Sequence, residues 1–161
     1  MKKLVADSSS IILLTKCSLL EKLTQVVELY IPETVFDECA SEKLITKHPD
    51  AIAIRRLVEE NKIHVKTLSR GNIEKGEDEA ILLYNEINAD ILLCDDGRAI
   101  KICKVLNIPF TTTPRVVIDL YQKRIIDIDL AKEALNKLEI LGRYSKDIIS
   151  SALLELIKKR R

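Results

Sequence analysis

Among the 25 acidic residues of this sequence, the candidates for chemistry lie at four places beside apolar segments: at Asp7, at Glu38, in the run at 77–79 and at the pair Asp95 and Asp96. Carboxylates that share one site repel each other and raise each other's pKa unless a divalent cation lies between them. Ligands that are all oxygen atoms suit Mg²⁺ or Mn²⁺ rather than zinc. Water held by such an ion becomes a nucleophile in phosphate chemistry, so the acids predict a metal-dependent hydrolytic site.

Asp7 and Glu38 each allow two interpretations. Asp7 directly follows a predicted buried strand at residues 4–6, where it would either cap the next helix or bind an ion, and we favour the ligand role. Glu38 borders a buried helix stripe that contains Val35 and Cys39, a position that directs it toward the ends of the strands. A solvated helix residue would fit the same pattern.

Helical geometry separates the three acids of the central run. A helix that begins at Glu77 turns its apolar stripe, which includes Ala80 and Leu83, toward the core at about 100° per residue. Glu79 and Glu77 flank this stripe, whereas Asp78 points nearly away from it. Glu79 is therefore the first choice of ligand and Glu77 the second, while favourable charge at a helix start explains the run equally simply.

Strand and helix patterns alternate along the chain and predict the elements that must position these acids. Five short strands are predicted at residues 4–6, 26–31, 63–68, 91–94 and 108–112, with helices between them and two more helices near 130–141 and 145–159. Strands separated by helices form a parallel sheet covered on both faces, which is a three-layer α/β/α fold. Right-handed crossovers limit the strand order, and we expect 3-2-1-4-5.

This strand order makes strands one and four neighbours at the point where the order reverses. Ligands of such sheets bind beyond the carboxyl ends of the strands at that point. Asp7 and Asp96 would then face each other. Of the pair Asp95 and Asp96, one would cap the next helix while the other faces the site, and we prefer Asp96 for the site.

The composition limits the class of protein. The chain of 161 residues, 47% of them hydrophobic, fits a single domain over 1–161 with C-terminal helices at 129–161. A net charge of +1 excludes binding to nucleic acid through bulk positive charge alone. No apolar run approaches the ~18 residues of a membrane span, so we expect a cytoplasmic protein. The four cysteines lack C-x-x-C spacing and are expected to be buried thiols.

Four motifs in order resemble those of a known family. They are VADSS at 5–9, PETVFDE at 32–38, GEDEAI at 76–81 and LLCDDGR at 92–98. The ordered set resembles the PIN domain family of VapC-like metal-dependent ribonucleases, especially its compact archaeal and bacterial members. This resemblance implies a five-stranded parallel sheet and an acidic pocket that binds Mg²⁺ or Mn²⁺. The motif match places the catalytic and metal-binding acids at Asp7, Glu38, Glu79 and Asp96, with Glu77 and Asp95 as secondary candidates.

Other positions match the family less closely. Ser8 or Ser9 would correspond to a small hydroxyl residue that often lies beside the first acid. Many relatives have Asp where this chain has Glu79, whose longer side chain changes the distance to a metal. Cys94 replaces the usual threonine before the fourth acid, which removes a hydroxyl group there.

The implied reaction is hydrolysis of an RNA phosphodiester bond. Arg98 and Arg70 are candidates for holding the RNA backbone at the rim of the pocket. Because such ribonucleases include toxins of toxin–antitoxin pairs, an antitoxin protein is a candidate partner, and the apolar last helix predicts a homodimer. Two alternatives stay open: a phosphoryl-transfer protein of the haloacid dehalogenase or receiver type, and a non-catalytic nucleic-acid-binding module with the same fold.

Overall fold

The computed structural model of this chain describes residues 1–41, 48–69, 78–141 and 143–159. Two predicted site residues, Glu77 and Arg70, lie outside the described residues. The other predicted acids, serines and arginine of the site lie within them, and the fold determines where each one is placed.

A parallel sheet forms the central layer. Its strands are β1 (Lys3–Ala6), β2 (Glu28–Pro32), β3 (Ile63–Lys66), β4 (Ile91–Leu93) and β5 (Phe110–Thr111). Their order is β3-β2-β1-β4-β5, so the predicted order is confirmed. Val5 in β1 is in register with Tyr30 of β2 on one side and with Leu92 of β4 on the other. Ala6 lies beside Leu93, so the carboxyl ends of β1 and β4 are adjacent.

Helices cover both faces of the sheet. Those described are α1 (Ser8–Lys16), α2 (Leu20–Thr24), α3 (Glu33–Ala40), α4 (Pro49–Glu59), α5 (Glu79–Glu86), α6 (Gly97–Leu106), α7 (Thr113–Gln122), α8 (Ile128–Ile140) and α9 (Lys146–Lys159). Alternate side chains of β1 enter different cores: Leu4 and Ala6 enter one, and Val5 enters the other. Helices α5 and α6 complete the core around Val5, and the other helices complete the larger one. The predicted three-layer α/β/α fold is confirmed.

One helix begins later than its sequence pattern suggests. Helix α5 begins at Glu79, and Asp78 precedes it as the N-cap in an extended conformation. The Asp78 carboxylate accepts hydrogen bonds from the amides of Ala80 at 2.9 Å and Ile81 at 3.3 Å. The prediction that Asp78 points away from the core assumed a helix that begins at Glu77. It was wrong because an N-cap residue lies outside the helical periodicity.

The C-terminal helices pack into the larger core. Both α8 and α9 contact α7, and the buried side chains of Leu138, Ile149 and Leu156 belong to the same cluster as those of β1. By contrast, Ile140 and Ile157 are 82% and 66% exposed. The apolar residues near the C-terminus are therefore divided between the core and the solvent.

The cysteines and the helix lengths can be compared with two predictions that were made from the composition. All four cysteines are buried free thiols, as predicted. Burial raises the pKa of Cys17 to about 11 and that of Cys39 to about 12, so both stay protonated at neutral pH. Within the described ranges, no helix combines the length and the apolar character that crossing a bilayer requires.

Candidate active site

Three acidic residues begin helices at one edge of the sheet. Asp7 follows β1 and caps α1, because its Oδ1 atom accepts a hydrogen bond from the Ser10 amide at 2.9 Å. Asp96 comes shortly after β4 and caps α6 by accepting a hydrogen bond from the Ala99 amide at 3.2 Å. Asp78 does the same for α5. Free amides and the helix dipole both favour negative charge at such positions.

A cavity brings two of these carboxylates together with the guanidinium group of Arg98. Its volume is about 180 Å³, and it is lined by Asp78, Asp96, Arg98, Ala99 and Ile102. Liquid water occupies about 30 Å³ per molecule, so a hydrated ion or a phosphate group would fit this space. Asp96 and Arg98 are exposed, while Asp78 is half-buried. The predicted candidates Asp96 and Arg98 therefore meet in one cavity, together with an acid that the sequence analysis did not select.

Asp7 is half-buried, and the charge of Asp78, which lines this cavity, acts on it. Burial raises the pKa of its carboxyl above the ordinary value, and hydrogen bonds from Ser10 oppose that change. The negative charges of Asp95 and Asp78 raise the pKa further. Asp7 is therefore within electrostatic reach of an acid that follows β4 and of the acid that begins α5. A cation near these groups would stabilise the charged form of Asp7.

Asp95 has an environment unlike that of Asp96. Its Oδ1 atom accepts hydrogen bonds from the Thr113 amide, at 2.8 Å, and from the Tyr144 hydroxyl. Its Oδ2 atom accepts hydrogen bonds from the hydroxyls of Ser10 at 2.7 Å and Thr113 at 2.6 Å. The sequence left open which acid of this pair faces the site. Asp96 lines the cavity, and Asp95 is bound within a hydrogen-bond network.

Glu79 and Glu38 are both associated with α3. Glu79 accepts a hydrogen bond from this helix, and Glu38 lies on it. The Thr34 hydroxyl donates to the Glu79 carboxylate, which links α3 to the first turn of α5. Glu38 is exposed and lies one turn after Thr34 on α3. After burial, the charges of Glu38 and then Asp7 contribute most to the raised pKa of Cys39, so both acids lie near this thiol. The structure thus places Glu38 and Asp7 near one thiol and links Glu79 to α3, whereas Asp96 lies in the cavity with Asp78.

Asp78 is the acid that sequence reasoning missed. A signal for it exists, since an Asp immediately before a Glu-Ala-apolar run is typical of an N-cap. The pattern of apolar residues alone gave the helix two extra residues at its start. The choice of Glu79 and Glu77 used that helix start, and it stays a prediction.

Ser10, which the sequence analysis did not select, lies between Asp7 and Asp95. Ser10 is fully buried, and it donates its amide to Asp7 and its hydroxyl to Asp95. Of the two predicted serines, Ser8 accepts a hydrogen bond from the Cys39 thiol through its carbonyl oxygen, at 3.7 Å. Ser9 lines a second cavity that also contains Arg143. Functional roles for Ser8 and Ser9 stay predictions.

The chemistry of this region fits a divalent cation. Asp7, Asp78 and Asp96 offer only oxygen donors, and a capping bond engages one oxygen of a carboxylate, which leaves the other for an ion. Among the described residues, no group of three or more Asp, Glu, His or Cys side chains is already placed to hold one ion. Binding would therefore require these side chains to draw closer together.

Comparison with known proteins decides the family. The family model DUF3368, described as a PIN domain, matches residues 3–159. The chain belongs to this PIN domain family. PIN domains are generally nucleases and typically use divalent metal ions. The resemblance inferred from the four motifs is therefore confirmed at the level of the family.

Searches for individual relatives add little to this assignment. No curated protein is significantly similar to the chain. Among solved structures, it is similar to a domain of a functionally unknown protein from Methanocaldococcus jannaschii, with a TM-score of 0.48 and 21% identity, over 70% of this chain and 91% of that one. The family assignment rests on the family model.

We expect Asp7→Asn to stabilise the metal-free protein at neutral pH. Asparagine keeps the N-cap but removes a charge that burial disfavours. Because the raised pKa makes folded Asp7 bind a proton more tightly than the unfolded chain does, its contribution to stability falls as the pH rises from the ordinary value of Asp through the raised one. Melting curves in chelator, from about pH 4 to pH 7, should show that the gain of the variant over wild type grows with pH.

Asp127→Asn is the matched control for this measurement. Asp127 caps α8 from an exposed position by accepting a hydrogen bond from the Leu130 amide at 2.8 Å. Both variants replace a capping carboxylate, but only Asp7 is half-buried, so the comparison separates the effect of burial from that of the cap. If Asp7→Asn changed the pH dependence of the melting temperature no more than Asp127→Asn does, burial would not raise the pKa of Asp7.

Proposed function

We propose that this protein is a metal-dependent endoribonuclease that hydrolyses RNA phosphodiester bonds. The observation that supports this most strongly is the cavity shared by Asp78, Asp96 and Arg98, with Asp7 within electrostatic reach of Asp78, in a chain of the PIN domain family. The carboxylates offer ligands for a cation, and the guanidinium offers a contact for a phosphate. The family match favours this reaction over the phosphoryl transfer of dehalogenases or receivers.

The proposed cofactor is Mg²⁺ or Mn²⁺. Asp7, Glu79 and Asp96 are its ligands according to the family resemblance, and Asp78 joins them because it shares the cavity with Asp96. Glu38, which is exposed on α3, acts directly or through a water molecule. When bound, such an ion lowers the pKa of a water molecule and offsets the charge on phosphate oxygens.

The side chains of the protein have separate tasks in this proposal. The capping hydrogen bonds hold Asp7, Asp78 and Asp96 in fixed orientations at the helix N-termini. Arg98 binds a phosphate oxygen of the substrate and thereby places the scissile bond beside these acids. Glu38 would orient the attacking water.

Substrate binding should depend on the RNA backbone rather than on the bases. Aromatic residues make up only 4% of the chain, which is a poor basis for base stacking. With a net charge of +1, attraction to RNA must come from local groups such as Arg98. Arg70, the second predicted contact, stays a prediction. Backbone contacts give little sequence specificity and a strong dependence on salt concentration.

Five more specific expectations go beyond the family assignment and stay predictions. They are a toxin role, an antitoxin partner, a cytoplasmic location, a homodimer and the single-domain organisation of residues 1–161. Exposed apolar side chains such as Ile140 and Ile157 would be available to a partner protein.

We expect Asp7→Asn, Asp78→Asn and Asp96→Asn each to reduce metal-dependent RNA cleavage at least about 100-fold, which exceeds the usual effect of losing an outer-sphere partner. Each substitution removes a charge from the ligand set, while asparagine preserves the N-cap. Cleavage of labelled RNA would be measured with Mn²⁺ and with chelator, and Asp127→Asn should retain wild-type activity. Wild-type activity of Asp7→Asn would remove the enzymatic claim and leave the non-catalytic binding module.

The phosphate contact of Arg98 has a separate test in binding experiments. In an Asp7→Asn background that cannot cleave, Arg98→Ala should weaken binding of single-stranded RNA about equally for all sequences and reduce the slope of log K against log salt by about 0.7. Fluorescence anisotropy at several salt concentrations measures this slope. Lys104→Ala, an exposed change on the same helix, is the control. Equal slopes for the two variants would remove Arg98 from the substrate-binding surface.

A further inference from the structure

The carboxylate of Asp95 connects three distant segments of the chain. Ser10 donates to it from α1, Thr113 from α7, and Tyr144 from the segment between α8 and α9. Ser10 and Thr113 are fully buried, and Tyr144 is half-buried. Burial raises the pKa of the Tyr144 hydroxyl, which therefore remains protonated and acts as a donor.

These hydrogen bonds fill the acceptor capacity of Asp95. A carboxylate has about four lone-pair positions. Two donors contact Oδ1 and two contact Oδ2, so every position is used. A metal ion that bound Asp95 would have to displace one of these donors. Asp96, in contrast, uses its Oδ2 atom for the cap of α6 and lines the cavity.

Ser10 makes hydrogen bonds to both Asp95 and Asp7. Its hydroxyl donates to Asp95 at 2.7 Å, while its amide donates to Asp7 at 2.9 Å. Both groups belong to one buried residue, so Ser10 bridges the two carboxylates. Tyr144 therefore lies two hydrogen-bonded residues, Asp95 and Ser10, away from the proposed ligand Asp7.

We propose that Asp95 is a positioning residue rather than a metal ligand, and that Asp95 and Tyr144 orient Asp7 through Ser10. The part that concerns the cation rests on the proposed function. The part that concerns the orientation of Asp7 does not. In this account, the C-terminal helices contribute to the site through Tyr144, although none of the proposed ligands lies on them.

The experiment compares the full-length wild type with Tyr144→Phe, Asp95→Asn and the control Tyr84→Phe. Tyr84 lies on α5, and its ring packs against the smaller core. The first readout is amide hydrogen exchange of Ser10, measured by NMR in metal-free protein relative to Leu130, whose amide makes the equivalent capping bond to Asp127. The second readout is the dissociation constant for Mn²⁺, measured by titration calorimetry.

We expect Tyr144→Phe to speed Ser10 exchange about threefold and Asp95→Asn about tenfold, as for the loss of one and of several hydrogen bonds. Mn²⁺ binding should weaken in the same order, while Tyr84→Phe leaves both readouts unchanged. The double variant should behave like Asp95→Asn alone, because both substitutions interrupt one connection. Tyr144→Phe removes a single hydroxyl group, so it tests the proposal even if Asp95→Asn fails to fold.

Unchanged exchange of Ser10 in Tyr144→Phe would overturn the positioning role. A loss of Mn²⁺ binding in Asp95→Asn as complete as in Asp7→Asn, with Ser10 exchange unchanged, would make Asp95 a ligand and also overturn it. Faster Ser10 exchange in a protein whose wild type does not bind Mn²⁺ would support the positioning role. The same result would contradict the metal-dependent function, so the two failures are distinguishable.

Discussion

Negative charge held at helix N-termini is the constraint on which the site depends. Asp7, Asp78 and Asp96 each have an extended backbone conformation and cap the helix that comes next. Burial raises the pKa of Asp7, and repulsion from the charges of Asp95 and Asp78 raises it further. The free amides of each first helical turn offset part of that repulsion. The capping bonds therefore keep these carboxylates oriented in the absence of an ion, and the repulsion that remains favours binding a cation.

The sheet order explains why acids that are distant in sequence meet. Because β1 and β4 are adjacent, their carboxyl ends place Asp7 near the pair that follows β4. The two acids of that pair are adjacent in sequence but have different surroundings. Asp95 is held by buried donors, whereas Asp96 lines the cavity next to Arg98. A position at the end of a strand thus does not by itself assign a carboxylate to the metal.

Much of this arrangement could be predicted from local sequence patterns. Short apolar strands between helices require a covered parallel sheet, the crossover rule limits its order to a few choices, and the family resemblance favours 3-2-1-4-5 among them. The start of α5 could not be located by periodicity, because capping by Asp78 depends on the backbone conformation of a residue outside the helix. The network around Asp95 could not be foreseen, since Tyr144 and Thr113 reach it through tertiary packing alone.

The central claim is that Asp7, Asp78 and Asp96 surround one cation site at the edge of the sheet. Diffraction from a crystal soaked in Mn²⁺ tests it most directly, because the anomalous signal locates the ion without assumptions about its ligands. The account predicts an anomalous peak in direct contact with carboxylate oxygens of these three residues and none on Asp95. A well-ordered crystal with no peak there, or with its Mn²⁺ bound to Asp95, would contradict the account.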